Sequence, residues 1–537
     1  MFTDNGWLHY AAREYDRQQK AAGSMIIHRG SVTVTNSLFM RIRDRFPADL
    51  SSVLIETPDG KTYSYGDADR YSARIAGLLT SLGAQKGDRI AVQVDKSPEA
   101  LFLYLGCIRA GLVYLPLNTA YQAGELAYFM GNASPVIFVC QPHREAEVSA
   151  IAAEQGVKSV LTLGTEADGT LVSGAAEQGD DFAPVACADD DLAAILYTSG
   201  TTGKPKGAMM TQMNLWSNAS TLETLWGFTG DDVLLHALPI FHTHGLFIAC
   251  HCVMLSGSKM FFLPKFDRDQ VLALLPRSTV MMGVPTFYVR LLSGDDFTAD
   301  VSANMRLFIS GSAPLLPETF TAFEQRTGKA LLERYGMTEM GMATSNPLDG
   351  ERIVHTVGPA LPDVDVRVCD DAGTVLATDE VGVLEARGPN VFAGYWQMPE
   401  KTAEEFRDDG FFITGDIAKI DVKGYVHIVG RAKDLVISGG FNIYPKEIET
   451  LIDKMDGVVE SAVIGVAHPD FGEAVVAVIV RSNDELSEDD VIGAIKSQMA
   501  NFKVPKRVFF VGELPRNAMG KVQKNILREE HKALFAN

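Results

Sequence analysis

From about residue 36 onward, short apolar runs alternate with longer stretches whose apolar positions recur at helical spacing, the pattern of strands and helices taken in turn. Runs at 89–94, 135–140, 157–163, 193–196, 259–263, 280–283 and 306–309 predict buried strands. Residues 53–57 and 61–65, joined at Asp59-Gly60, predict a hairpin. Ser97-Pro98-Glu99 combines an N-cap hydroxyl, a proline at the first helical position and an early acid, so a helix is predicted to start there. Strands alternating with helices imply an α/β fold, with a large N-terminal domain of mostly parallel sheets flanked by helices. Residues 165–190, acidic and glycine-containing, read as a surface connection.

Further on the pattern changes. Residues 461–466 and 474–481 alternate with period two, 487–499 reads as a helix capped by Ser487 with Asp489 and Asp490 in its first turn, and 507–511 reads as a strand. This predicts a small mobile α+β C-terminal domain. The charged segment Gly430-Arg-Ala-Lys-Asp434 is suited to a hinge. The chain therefore divides into an unassigned polar tail (1–24), a large domain (25–431) and the small one (432–537), with Met25 as an alternative start.

Composition narrows the classes. An apolar fraction of 46% is ordinary for a globular core. A net charge of −20 excludes nonspecific nucleic-acid binding and a polybasic membrane surface, though not a local anion pocket. The six cysteines follow no framework spacing, which fits a reducing compartment such as the cytoplasm. Cys250-His251-Cys252 has no second Cys/His pair at zinc-finger spacing and reads as core. The longest apolar stretch, 101–117, is interrupted by Gly106 and Arg109, so no membrane span is predicted.

Candidate chemistry centres on Leu196-Tyr-Thr-Ser-Gly-Thr-Thr-Gly-Lys-Pro-Lys-Gly207, directly after a predicted strand. Hydroxyls of Thr198, Ser199, Thr201 and Thr202, backbone amides freed by Gly200 and Gly203, and the charge of Lys206 make a cradle for polyphosphate. No Lys-[Ser/Thr] pair follows, so it is not a Walker A loop. Four other segments carry chemistry: Glu333-Arg-Tyr-Gly-Met-Thr-Glu339, Phe412-Ile-Thr-Gly-Asp416, Ser438-Gly-Gly-Phe-Asn-Ile-Tyr-Pro-Lys446 and Arg516-Asn-Ala-Met-Gly-Lys521. Asp416 suits a ribose diol, since a carboxylate accepts two hydrogen bonds at once.

In this order, over residues 36–530, the motifs resemble the adenylate-forming superfamily of acyl-CoA synthetases, adenylation domains and luciferases. Within it the closest resemblance is to malonyl-CoA synthetases, on Tyr114-Leu-Pro-Leu-Asn-Thr-Ala-Tyr121, His236-Ala-Leu-Pro-Ile-Phe-His-Thr-His-Gly245, Met282-Gly-Val-Pro-Thr-Phe-Tyr-Val-Arg290 and Leu307-Phe-Ile-Ser-Gly-Ser-Ala-Pro314. The resemblance implies an AMP-binding domain followed by a mobile lid, with ATP and CoA as co-substrates and Mg2+ as cofactor. It places the phosphates on the 198–207 loop and the nucleotide against Ser312, Ala313, Tyr335, Gly336, Met337, Thr338, Asp416 and Arg431. Glu339, with Thr202, would hold the metal. Lys521 would be the catalytic lysine. Lys433 would be the hinge, with Gly439, Gly440 and Lys446 on the CoA side.

The acid is read from the residues as well. Positions 286 and 290 share a helix face, so Arg290 could fork a second carboxylate bidentately. His242 and His244 bracket Thr243 in a predicted loop after an apolar strand. His244, with Ser310, would serve the distal carboxylate, and His242 the acyl and α-phosphate side. Malonate is the expected acid, and methylmalonate also fits. Alternatives are another short or medium carboxylic acid, a stand-alone adenylation enzyme feeding a carrier protein, a luciferase-like oxygenase or a non-catalytic nucleotide sensor. Expected partners are small molecules only, with no nucleic acid and no membrane, and either a monomer or a homodimer is compatible.

Overall fold

The computed structural model describes residues 37–198, 205–438, 441–469, 471–499, 501–517 and 520–535. Two sheets dominate. In the eight-stranded one the order is Gly341–Ser345, Leu332–Met337, Leu307–Ser310, Val280–Gly283, Val233–His236, Lys259–Phe262, Val53–Glu56, Thr62–Ser64, parallel except for the outermost pair at each edge. In the six-stranded one it is Ser159–Thr162, Ile137–Cys140, Arg89–Gln93, Val113–Pro116, Leu192–Thr198, Lys206–Thr211, with only the last pair antiparallel. The α/β expectation therefore holds, with each predicted strand present within a few residues.

The helix Pro98–Arg109 is capped by Ser97 and buried at every position. A helix apolar all round must be enclosed, and one core joins it to Ile90 and Tyr114 of one sheet and Leu234 and Met260 of the other. Its one cation, Arg109, is held by Asp69 at 2.8 Å and by the Phe182 carbonyl. The apolar stretch is thus most of a core helix followed by the buried strand Val113–Pro116, and no described helix is long and apolar enough to cross a membrane. Cys250, His251 and Cys252 lie in the same core, with the His251 Nε2 2.8 Å from the Tyr104 hydroxyl.

A four-stranded antiparallel sheet, Asp365–Cys369, Gly382–Arg387, Phe412–Ile420 and Val426–Arg431, follows. The last unit is a five-stranded sheet in which Gly472–Arg481 lies antiparallel to Val458–His468 and parallel to Arg507–Val511. The helix Glu488–Gln498 starts at a capping box on Ser487 and Asp490, as its sequence predicts.

Two local expectations are corrected. Residues 165–190 are not all surface connection: Thr170–Ala176 is a helix that buries Leu171 and Ala175 in the main core. The His242–His244 segment is not all loop either, because a helix begins at Thr243 and runs as a π-helix over His244–Cys250. Such wide turns occur mostly as short pieces at functional sites.

Candidate active site

Parallel strands open their ligand crevice at their carboxyl ends, and there the chain concentrates its polar motifs. Leu192–Thr198 leads into the phosphate-loop motif, Val233–His236 into His242, Leu307–Ser310 into Ser312, and Leu332–Met337 into Thr338 and Glu339. Ser199, Gly200, Thr201, Thr202 and Gly203 lie outside the described residues, as do Gly439 and Gly440.

On the nucleotide side, Asp416 is 2% exposed and sits within the strand Phe412–Ile420 rather than at its end. Register places it opposite Arg431 on the neighbouring strand. Its Oδ1 lies 2.6 Å from the Arg431 Nε, and its Oδ2 accepts from the Tyr335 hydroxyl. Glu339 is buried; it accepts from Thr198 at 3.3 Å and from Tyr395 at 3.2 Å. Burial raises its carboxyl above the usual range. A buried carboxylate with hydroxyl partners fits Mg2+, which keeps several waters and takes few carboxylates. Among the described residues no cluster of three or more His, Cys, Asp or Glu could hold a metal by itself. The expected phosphate ligand Lys206 is buried, with its ammonium 2.8 Å from Glu405 and 4.0 Å from the centre of the Tyr395 ring.

The lysine turn enters from the C-terminal unit. Asn517 donates to the Lys521 carbonyl and its side chain accepts from the Lys521 amide, both at 2.9 Å, with Gly520 at φ +74° between them. A Cβ on Gly520 would lie 3.5 Å from the Thr286 Oγ1, so the turn stands against the helix Pro285–Leu292. Burial, reinforced by the Arg431 charge, lowers the Lys521 amine to about 8.

On the acid side, His242 accepts from the His244 amide through Nδ1 at 3.2 Å, which places its proton on Nε2. Burial, then the charges of Lys521 and Arg334, push its imidazole down to about 3, so it is neutral at working pH. His244 is buried, which lowers its imidazole well below the usual range, and its Nδ1 lies 3.3 Å from the Ser312 Oγ. The His244 Nε2 and the Ser310 Oγ are buried and have no hydrogen-bond partner among the described residues.

Arg290, expected to fork a carboxylate, is on the exposed side of its helix, with its guanidinium 6.0 Å from the Phe266 ring centre. The enclosed guanidinium is instead Arg334, which sequence reasoning passed over inside a motif it had singled out. Arg334 is 3% exposed, and its Nε and Nη2 have no partner among the described residues. Burial pulls it down to about 9. Gly311 makes room for it, since a Cβ there would sit 2.3 Å from the Arg334 Cζ. The hidden signal was that glycine, next to Ser310 on a strand paired with the one carrying Arg334.

Of the remaining expected residues, Ser312 has a left-handed φ of +70° and Ala313 follows it, while Gly336 and Met337 complete the strand before Thr338. Lys433 lies in a single turn, Ala432–Asp434, after Arg431, and Lys446 lies 4.0 Å from Asp453.

A phosphate-loop motif, a ribose-type carboxylate, a buried metal-type carboxylate and a lysine delivered by a second unit define an adenylate-forming enzyme. The chain belongs to the AMP-binding enzyme family, matching it over residues 43–396 and its C-terminal domain over 447–521, and is an acyl-CoA ligase of the AMP-forming class. Enzymes of this family use ATP and CoA, with Mg2+. The chain is 34% identical to a malonate–CoA ligase of Arabidopsis thaliana over 519 residues, covering 88% of this chain and 85% of that one. It is 55% identical to ATP-bound MatB of Rhodopseudomonas palustris, with a TM-score of 0.91 over 93% of this chain and 99% of that one. Apo MatB, at the same identity and coverage, gives 0.80. The arrangement here is therefore closer to the ATP-bound form.

Proposed function

We propose that the protein joins malonate to CoA through a malonyl-AMP intermediate. The observation that carries this reading is the buried Arg334 guanidinium, whose Nε and Nη2 have no partner among the described residues, near the equally unpartnered His244 Nε2 and Ser310 Oγ. A buried cation without a carboxylate is costly, and a second carboxylate on the substrate offsets that cost. A monocarboxylate would leave it standing.

In the first step a malonate oxygen attacks the α-phosphorus of ATP, and the bond to pyrophosphate breaks. Both reactants are anionic, so the barrier is their mutual repulsion and their alignment. Fixing the two in line is worth about 7–11 kcal/mol. Lys521 shields the repulsion at the reacting carboxylate and α-phosphate, and neutral His242 donates from Nε2 on the same side. Thr198, Ser199, Gly200, Thr201, Thr202, Gly203 and Lys206 hold the outer phosphates, with Lys206 leaving Glu405 to do so. Tyr335 packs on the adenine, flanked by Ser312, Ala313, Gly336, Met337 and Thr338, and Asp416 and Arg431 hold the ribose. Glu339, with Thr202, would hold Mg2+, which neutralises phosphate charge when bound.

In the second step the CoA thiol loses its proton to solvent, its sulfur bonds to the acyl carbon, and the bond from that carbon to the AMP oxygen breaks, so that AMP leaves. Turning the small domain about Lys433 withdraws Lys521 and brings Gly439, Gly440 and Lys446 to the CoA side. Arg290, on the exposed side of its helix, would serve the pocket mouth. The six buried thiols are compatible with a cytoplasmic setting.

The test is AMP release by the purified protein with ATP, CoA and a panel of C2–C8 mono- and dicarboxylates. Malonate should lead and propionate, of equal chain length, should lag by about 10²-fold or more. Equal turnover of the two would refute the reading.

A further inference from the structure

The segment from the end of the strand Val233–His236 to the first turn of the helix opening at Thr243 carries both pocket histidines, and it is clamped from behind. His236 is fully buried. Its Nε2 lies 2.8 Å from the Gly245 carbonyl, at the far end of the loop, and 3.4 Å from the Cys250 Sγ. Its Nδ1 lies 2.7 Å from the Lys96 Nζ, which also donates to the His236 carbonyl at 2.9 Å. Gly245 packs on the loop itself, where a Cβ would come 2.0 Å from the Pro239 oxygen. Lys96, His236, Gly245 and Pro239 thus close a chain of contacts around residues 237–245.

The hydrogen bonds fix the tautomer. A carbonyl only accepts, so the His236 Nε2 carries the proton and Nδ1 accepts from Lys96. Lys96 comes from the other large sheet, after the strand Arg89–Gln93 and directly before Ser97, the N-cap of Pro98–Arg109. Its amine lies 4.2 Å from the Phe262 ring centre and has no carboxylate partner among the described residues. The adjacent Asp95 accepts from Gln141 at 2.7 Å. Lys96 is half-buried, and among the described residues no carboxylate offsets its charge. Core filling alone needs no lysine at such a position, and no step of the proposed reaction uses it.

We infer that Lys96 is a positioning residue for the acid substrate: through His236 it holds the 237–245 loop in the shape that aims His242 and His244 into the pocket. The inference rests on reading that pocket as the acid site. It ties the two large sheets together at the point where the acid binds, so disturbing it reaches the acid before the nucleotide.

The test is Lys96→Met, which keeps the stem and removes the donors, assayed by malonate-dependent pyrophosphate exchange. The malonate KM should rise about tenfold or more, since small misplacements of aligned groups cost up to about 10²-fold, while the KM for ATP stays within about twofold. Lys96→Arg should restore most of the loss. In the background of His236→Gln, itself raised in malonate KM, Lys96→Met should add nothing, the mark of two residues acting as one. An unchanged malonate KM in Lys96→Met, an equal loss for ATP, or additive losses in the double variant would overturn the inference. Should Lys96→Met not fold, His236→Gln alone decides, by whether its malonate KM rises selectively. Should the unaltered enzyme ignore malonate, the pocket reading fails, and the same comparison is made with whichever acid it adenylates.

Discussion

The two halves of the site are built on opposite electrostatic plans. On the nucleotide side the charged groups are already partnered: Asp416 with Arg431 and Tyr335, Lys206 with Glu405, Glu339 with two hydroxyls. On the acid side Arg334, His244 and Ser310 present buried polar atoms with no partner among the described residues. A partnered site tolerates being empty, and ATP enters it by exchanging one partner for another. An unpartnered buried site is satisfied only by its ligand, so it costs stability when empty and discriminates when filled.

Lys521 stands between the halves, and its loss is the largest expected effect. Lys521→Ala should slow malonyl-AMP formation about 10²–10³-fold, the usual cost of losing one well-aimed donor. Thioester formation from supplied malonyl-AMP should be largely spared. Pyrophosphate exchange and single-step thioesterification measure the two, and equal losses would place Lys521 in both halves. Next, Asp416→Asn should raise the KM for ATP about tenfold, from the loss of one charged hydrogen-bond acceptor, with the malonate KM unchanged. Steady-state kinetics with each substrate varied would show whether the sides are separable.

The pH profile follows from the same contrast. In the proposed mechanism only charged Lys521 screens the reactants, and in the free enzyme burial lowers its amine to about 8. The kcat/KM for adenylation should therefore be level below that pH and fall toward about tenfold per unit above it. His242, held neutral down to about 3, contributes no acid limb near neutrality. A profile flat to about pH 9.5 would mean that Lys521 is not the titrating group. The smallest effect is on stability: Arg334→Met, exchanging an unpaired buried cation for an apolar side chain, should raise the ligand-free Tm by about 2 °C or more. Differential scanning fluorimetry checks this, and a lower Tm would mean that Arg334 is a structural group.

The nucleotide half was legible in the sequence because its chemistry sits in contiguous motifs on or just after strands, as at Thr198, Glu339 and Asp416. The acid half was only partly legible, because its groups converge from separate strands. His244 and Ser310 were singled out, but Arg290 was named for the carboxylate and Arg334 was passed over, and nothing in Glu333-Arg-Tyr says which side of the sheet the arginine takes. Only the paired strand, with Gly311 leaving space for the guanidinium, decides that. The helix Thr170–Ala176 was missed because a short run of small residues between acidic stretches has weak periodicity. The π-helix over His244–Cys250 leaves no signature in the pattern of apolar positions, since its turn is set by tertiary contacts such as that of His236 with Gly245.

The central claim, that Arg334 awaits a second carboxylate, is tested most directly by competition. Equal concentrations of malonate and propionate, with ATP and CoA, are given to the unaltered enzyme and to Arg334→Met, and the two acyl-CoA products are weighed by mass spectrometry. The account predicts malonyl-CoA in excess of about 10²-fold from the unaltered enzyme and propionyl-CoA as the main product of the variant. A product ratio untouched by the substitution would contradict it.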